Sequence, residues 1–269
     1  MIELYHHGSS VCAAKVRFVL ESKRIPWEGH YIDILKGEQF TPEYLELNPR
    51  GVVPTLVSEG RVVRETTVMC EFLEDKFPEI SLMPRDPLER AEVRLWMKVV
   101  DEELHPACGA VTFMISHRHT IAKLGPKGLE DFLNSTPDQS VTPEWRAQKR
   151  EFVVHGLAAP GAAEKLGMYY RHLRRMDEAL KSSEWLVGDT FSLADISLAP
   201  YVNRLAAMNL SGLWTDGKLP RLESWFERIK AKHGFKPAFV DWMPDQLASE
   251  LAENGKKSWP EVARLLNIG

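Results

Sequence analysis

The chain opens on Ile2-Glu3-Leu4-Tyr5-His6, where apolar and polar positions alternate as they do along a strand with one buried face. The period then lengthens. Through "VCAAKVRFVLESK" the apolar residues Val11, Ala14 and Phe18 recur at helical spacing, which predicts a helix. "WEGHYIDI" predicts a second strand, parallel to the first because a helical crossover separates them. "VVPTLVSEGRVVRE" reads as a hairpin of two Val-rich runs joined through Ser58, Glu59 and Gly60. "TTVMCEFLEDKF" returns to helical spacing, and Pro78 stops it. With one short helix before the hairpin, the order is βαβ, α, ββα. That is an α/β unit whose sheet mixes parallel and antiparallel pairs.

From Asp86 onward the strand pattern disappears. "DPLERAEVRLWMKVVDEEL" starts with Asp as N-cap and Pro at the first helical position, then carries apolar residues at helical spacing. "YYRHLRRMDEALKSS", "SLADISLAPYVNRLAAM" and "LPRLESWFERIKAKH" follow in the same style. Residues 120–145 are rich in Gly, Pro, Ser, Thr and Asp and read as a loop with a short helix. The polar tail after Pro244 ends in "WPEVARLL", where Trp259, Val262, Leu265 and Leu266 share one helical face and Pro260 suits a first turn. A free tail gains nothing from that stripe, so the tail is expected to fold back over a pocket mouth as a lid. The expected organisation is an α/β domain over 1–80, a linker over 81–87 and an all-helical domain over 88–269. No internal repeat or low-complexity segment interrupts it.

Composition narrows the class. A chain of 269 residues that is 44% hydrophobic has ample core for two modest domains. A net charge of −4 gives no reason to expect nucleic acid or an anionic membrane surface. The start "MIELYHHG" lacks a basic segment ahead of an apolar run, so no signal peptide is expected. No stretch approaches the roughly 20 apolar residues of a membrane span. Cys12, Cys70 and Cys108 are too few and too scattered for a disulfide framework or a zinc site, which fits a reducing cytoplasm.

The candidate chemistry begins at "HGSSVCAAKVR", where Ser9, Ser10 and Cys12 crowd onto a helix start. Serine there can serve simply as an N-cap, and a small cysteine as a buried apolar residue. A helix N-terminus also stabilises anions, thiolates included. In "NPRGVVPTL", Pro54 precedes a strand and cannot donate to a ladder. It is an edge or turn proline, or, if the Val53–Pro54 bond is cis, a device that frees the Val53 backbone to pair with an extended ligand. In "RETTV", Thr66 is either an N-cap or, with Glu65, a receptor for the carboxylate and amino group of an α-amino acid end. "SLADI" is a capping box, Ser192 with Asp195, and its role is structural. The pair His117 and His119 lacks metal-ligand spacing and reads as a solvated helix end. His6 and His7 follow a strand toward a cleft without an evident orienting partner.

Taken in order, Ser-x-Cys at the first helix, "GEQFTPEYLELNPRGVVPTL", "ETTVMCEFLED" and "DTFSLADISLAPYV" resemble the cytosolic glutathione S-transferase family across essentially the whole chain. The helical segments are most similar to bacterial β-etherases. The Ser-x-Cys pair resembles the reductive dehalogenases of chlorinated hydroquinones and, through Ser10, the zeta class. The resemblance implies a thioredoxin-like N-terminal domain that binds glutathione, a helical domain that shapes the second-substrate pocket, and a homodimer. It assigns Val53 and Pro54 to the cysteinyl backbone of glutathione, and Glu65 and Thr66 to its γ-glutamyl end. Gln39 falls to its glycyl carboxylate, and Asp101 to its amino group across the dimer. Val52 stands where theta-like members often carry a lysine.

The implied activity is glutathione transfer without a metal: a bound thiolate attacks a hydrophobic electrophile, with β-aryl ether cleavage the example the resemblance suggests. A hydroxyl donor and helix N–H groups would lower the thiol pKa from its usual value of about 8.5. Ser10, five residues before Lys15, has the spacing of the zeta serine, while Ser9 and Cys12 are its rivals. On a helix, Cys12 is turned about 200° from Ser10, so it faces the core if Ser10 faces glutathione. Two other functions stay open: a Cys12-dependent thiol-transferase or reductive dehalogenase, and a non-catalytic glutathione-binding protein.

Overall fold

The computed structural model describes residues 1–136 and 142–268. Strands β1 (Ile2–His6), β2 (Trp27–Tyr31), β3 (Thr55–Ser58) and β4 (Arg61–Val63) form one sheet in the order β2-β1-β3-β4. β1 pairs in parallel with β2 from Ile2↔Trp27 and antiparallel with β3 up to Tyr5↔Thr55, while β3 and β4 make the hairpin. Helices α1 (Val11–Ser22), α2 (Pro42–Leu47) and α3 (Thr66–Lys76) complete this layer, giving the expected βαβ-α-ββα order. The alternation in β1 is realised as Ile2, Leu4 and His6 buried. On the opposite face, Tyr44 of α2 lies against Tyr5 with ring centroids 6.3 Å apart. α3 ends just ahead of Pro78, which cannot continue a helix.

After the linker, every regular element among the described residues is helical: α4 (Pro87–Val99), α5 (His105–Thr112), α6 (Arg118–Ala122), α7 (Gly125–Asn134), α8 (Pro143–His155), α9 (Ala162–Ala179), α10 (Leu193–Ala207), α11 (Pro220–Lys230), α12 (Phe235–Phe239) and α13 (Asp245–Leu266). α4 begins as expected, the Asp86 carboxylate accepting from the Leu88 and Glu89 N–H groups with Pro87 at the first position. The Ser192–Asp195 capping box forms at α10, and Asp195 also accepts from Leu186 N–H and the Trp225 indole. Its carboxylate thereby fixes α11 and the preceding loop as well as its own helix.

Three local readings are corrected. Residues 120–145 hold α7 and the start of α8 rather than mainly loop; of that stretch, 137–141 lie outside the described residues. Leu129, Phe132 and Leu133 there pack near Ile121 and Val153, a small apolar cluster that the polar composition hid. Pro260 lies inside α13, which begins fifteen residues earlier at Asp245. The helix starts early because Leu247, Leu251 and Gly255 continue the apolar stripe toward Val262, and all four are buried. Gly255 is required: a Cβ there would stand 1.7 Å from the Met208 carbonyl oxygen. The third is His117, no solvated helix end. It sits in a π turn (Phe113–His117) between α5 and α6, half-buried and edge-on to the Phe113 ring.

The two layers are joined at Arg17, a fully buried residue of α1. Its guanidinium donates to the His7 and Gly8 carbonyls at 3.2 and 3.1 Å, to His6 Nδ1 at 3.1 Å, and to the Ala238 carbonyl of α12 at 2.8 Å. The His6 ring therefore has an orienting partner, contrary to expectation, and the His7 ring has one in the Ser9 N–H at 3.2 Å. Burial first, and then the Arg17 charge, push His6 down to about 3; burial chiefly takes His7 down to about 4. Both rings are therefore neutral in the fold and titrate near 6.5 once unfolded. The unfolded chain binds more protons below that pH, so stability is complete above about 6.5 and falls as the solution is acidified toward 4 and below. Urea denaturation should show a loss of up to about 1.4 kcal/mol per pH unit for each of these histidines between pH 6.5 and 5. A transition midpoint that stays constant over this interval would contradict neutral buried rings.

Candidate active site

The loop between β1 and α1 carries His7, Gly8, Ser9 and Ser10. Its path is set by Arg17 from below and by the C-terminal segment from above, for a Cβ on Gly8 would stand 1.8 Å from the Trp242 carbonyl oxygen. Trp242 lies edge-on to His6, ring centroids 4.5 Å apart, and roofs this corner of the sheet. Ser10 is the N-cap of α1 in extended conformation, and its Oγ accepts from Ala13 N–H at 3.2 Å. One lone pair is thus used, while the hydroxyl proton is left to donate. Ser9 is placed differently. It is buried, with its N–H 3.2 Å and its Oγ 3.0 Å from His7 Nδ1. A neutral His7 accepts at that nitrogen, which ties up the Ser9 proton.

Beside Ser10 a small cavity is lined by Val11 and Ala14 of α1, Pro200, Asn203, Arg204 and Ala207 of α10, and Phe239 and Met243. Arg204 is buried and holds the Ser9 carbonyl through Nη2, while its Nη1 has no hydrogen-bond partner among the described residues. The lining is thus mostly apolar with one cationic donor, a surface suited to a hydrophobic molecule bearing an oxygen acceptor.

A second group of residues lies around the N-terminus of α3. The Val53–Pro54 bond is cis, and Val53 lies beyond the end of the β1–β3 ladder at Thr55. Glu65, not Thr66, occupies the N-cap position of α3, with φ of 66°, a conformation that few side chains adopt. Its exposed carboxylate meets Arg50 at 2.6 Å. Thr66 is the first helical residue, half-buried, where first-turn N–H groups have no partner within the helix. Gln39 points inward. Its Nε2 donates to the Ile34 carbonyl at 3.4 Å, and its Oε1 is buried without a partner among the described residues. Asp101 lies 3.5 Å from the buried Lys15 Nζ, which also donates to Thr67 Oγ1 at 2.7 Å. Lys15 thus ties α1 to α3 and to the π turn Val100–Leu104 that follows α4.

Cys12, in regular helix at the second position of α1, is half-buried. Its sulfur lies 3.5 Å from His105 Nδ1, at the start of α5. Neither His105 nor Lys15, Arg204 and Tyr201 was singled out from the sequence. A faint signal exists for Lys15, a cation inside the apolar run of α1. None exists for His105. Among the described residues no group of three or more His, Cys, Asp or Glu is placed to hold a metal, and no helix is long and apolar enough to cross a membrane.

Comparison with known proteins follows the same lines. The model of the glutathione S-transferase N-terminal domain matches residues 9–76, and that of the C-terminal domain residues 157–228. Protein LigF of Sphingobium sp. strain SYK-6 is 32% identical over 88% of this chain and 93% of its own. The crystal structure of the β-etherase LigF from that strain superposes with a TM-score of 0.78, covering 88% of this chain and 98% of the other. The tetrachloro-p-hydroquinone reductive dehalogenase of Sphingobium chlorophenolicum is 26% identical over 89% of this chain and 96% of its own. With both domain models matched in order and a relative aligned along nearly its whole length, the chain belongs to the glutathione S-transferase family.

Proposed function

We propose that the chain is a glutathione transferase that ionises bound glutathione at Ser10 and delivers the thiolate to a hydrophobic electrophile in the neighbouring cavity. The observation that carries the reading is the Ser10 hydroxyl. Its oxygen is held by Ala13 N–H at the positive end of α1, its proton has no acceptor among the described residues, and it opens onto the apolar wall of Val11, Ala14, Pro200 and Phe239. A donor and a helix N-terminus together favour the charged form of a thiol placed there. Glutathione lies extended in this reading, its cysteinyl backbone along Val53 and Pro54 and its γ-glutamyl end at Glu65, Thr66 and the N-terminus of α3. Gln39 meets the glycyl carboxylate through Nε2, which has a second hydrogen beside the one given to the Ile34 carbonyl, and Asp101 reaches the amino group of a partner subunit's glutathione from its place beside Lys15.

The protein supplies orientation and charge stabilisation; the nucleophile belongs to the co-substrate. For the electrophile we favour an aryl ether, in view of the β-etherase relative. The sulfur forms a bond to the carbon bearing the aryloxy group, the carbon–oxygen bond breaks, and the aryloxide leaves with the bonding pair and takes a proton. Nη1 of Arg204, without a partner among the described residues, is suited to an oxygen of such a substrate, and Met243 lines the same cavity. We further propose a cytoplasmic homodimer. Val68 on α3 and Leu95 on α4 leave 54% and 57% of their surface exposed, an apolar cost that a second copy would remove.

Ser10→Ala should raise the pKa of bound glutathione by about one unit, equivalent to roughly 1.4 kcal/mol, read from the pH–rate profile. An unchanged profile would move the role away from Ser10, and an inactive wild type that still binds glutathione would favour a binding protein. Glu65→Gln should weaken glutathione binding about ten- to hundredfold by calorimetry, the loss of a charged hydrogen bond. Sedimentation should give twice the 30.7 kDa chain mass, and a monomer at micromolar concentration would reject the dimer.

A further inference from the structure

Cys12 lies two positions beyond Ser10, yet it meets a different environment. It is absent from the wall beside Ser10 and turns instead toward α5 and α10. His105 places Nδ1 at 3.5 Å and Nε2 at 3.9 Å from the Cys12 sulfur. The Tyr201 hydroxyl from α10 is 3.4 Å from the same Nδ1. The Tyr201 and His105 rings meet edge to face, centroids 6.2 Å apart, so the imidazole is held from a second side. The other groups facing this sulfur are Lys15 of α1, buried and cationic, Cys70 of α3, Cys108 of α5, and Asp101, whose carboxylate is directed at Lys15.

The three cysteines form an internal comparison. Cys70 and Cys108 are buried, and burial pushes both thiols up, Cys70 to about 12. Burial also opposes ionisation of Cys12, but His105, Lys15 and Tyr201 together outweigh it, so its thiol is pulled down. His105 is raised in turn, by the Cys12 charge first of all. Cys12 is also the least buried of the three.

We propose that His105 is a positioning residue that holds Cys12 as a thiolate–imidazolium pair, making Cys12 a second nucleophile, independent of Ser10, that exchanges with glutathione disulfide. In that exchange the Cys12 thiolate attacks one sulfur of glutathione disulfide. The Cys12–glutathione bond forms as the disulfide bond of the reagent breaks, and the departing glutathione thiolate takes the His105 proton. A glutathione thiol that returns its proton to His105 and attacks the mixed disulfide as the thiolate reverses the step, restoring the Cys12 thiolate and glutathione disulfide, so the two-electron disulfide is passed and returned. The thiolate at the start and the proton at the end both depend on the imidazole, and a helix N-terminus adds to the former.

The experiment is alkylation of the native full chain by iodoacetamide across a pH series, read per cysteine by peptide mass spectrometry. Wild-type Cys12 should react with a midpoint below the usual thiol value of about 8.5, while Cys70 and Cys108 stay unlabelled. His105→Gln keeps size and hydrogen bonding but cannot carry the charge. It should move the midpoint up by a unit or more and slow labelling at neutral pH about tenfold. Tyr201→Phe keeps the ring against His105 and should give a smaller shift in the same direction, a second reading should His105→Gln unfold. Ser10→Ala, which removes only the cap of α1, should move the Cys12 midpoint far less than His105→Gln does, which separates this proposal from the Ser10 reading. Incubation with glutathione disulfide should place one glutathionyl group on the Cys12 peptide of the wild type and about tenfold more slowly on that of His105→Gln. An unshifted wild-type profile, or a lowered one that survives His105→Gln, overturns the proposal.

Discussion

Arg17 is a guanidinium taken completely out of water, and such a charge costs several kcal/mol unless each donor finds an acceptor. The acceptors are the His7, Gly8 and Ala238 carbonyls and the His6 ring. Burial lowers Arg17 to about 9, which leaves it cationic at neutral pH and makes every one of these partners necessary. The loop before α1 therefore cannot shift without exposing an unpaired charge, and α12 cannot leave the α/β layer. Lys15, fully buried two residues away, repeats the device toward Thr67 and Asp101. Two buried cations on one helix thus pin α1 to α3, to α12 and to the π turn after α4.

This anchoring gives the start of α1 two chemical characters. Ser10, still outside the helix, faces an apolar wall and keeps its proton; Cys12, inside it, faces an imidazole. The turn of the helix between them separates a hydroxyl donor from a thiolate, though both draw on the same N-terminal N–H groups. Ser9 is withdrawn from either task by His7, whose ring stays neutral because it is buried. Competition among three adjacent nucleophile-like side chains is settled by what each one meets across the fold.

Much of the fold was legible because its signals are local. The Asp86 cap with Pro87, the Ser192–Asp195 box and the alternation of β1 depend on neighbours within a few residues, and each acts as read. Local reading failed where packing decided. Pro260 suited a first turn, but Leu247, Leu251 and Gly255 found burial against the helical layer and carried α13 straight through it. His117 looked solvated in a polar string, yet the ring of Phe113 covers it.

The sequence by itself determined the order of elements, the change from strands to helices near residue 80, and the clustering of Ser9, Ser10 and Cys12 at a helix start. Periodicity, caps and turn residues encode these over short spans, where neighbours in the chain are neighbours in space. Only the tertiary structure decided which of those side chains has a free proton and which an acidified thiol. His105 lies 93 residues from Cys12, and Ala238 lies 221 from Arg17. No local pattern registers a partner at such separations. Burial, charge and hydrogen-bond supply at a point in space belong to every segment that passes it, and these quantities set the proton affinity of a side chain.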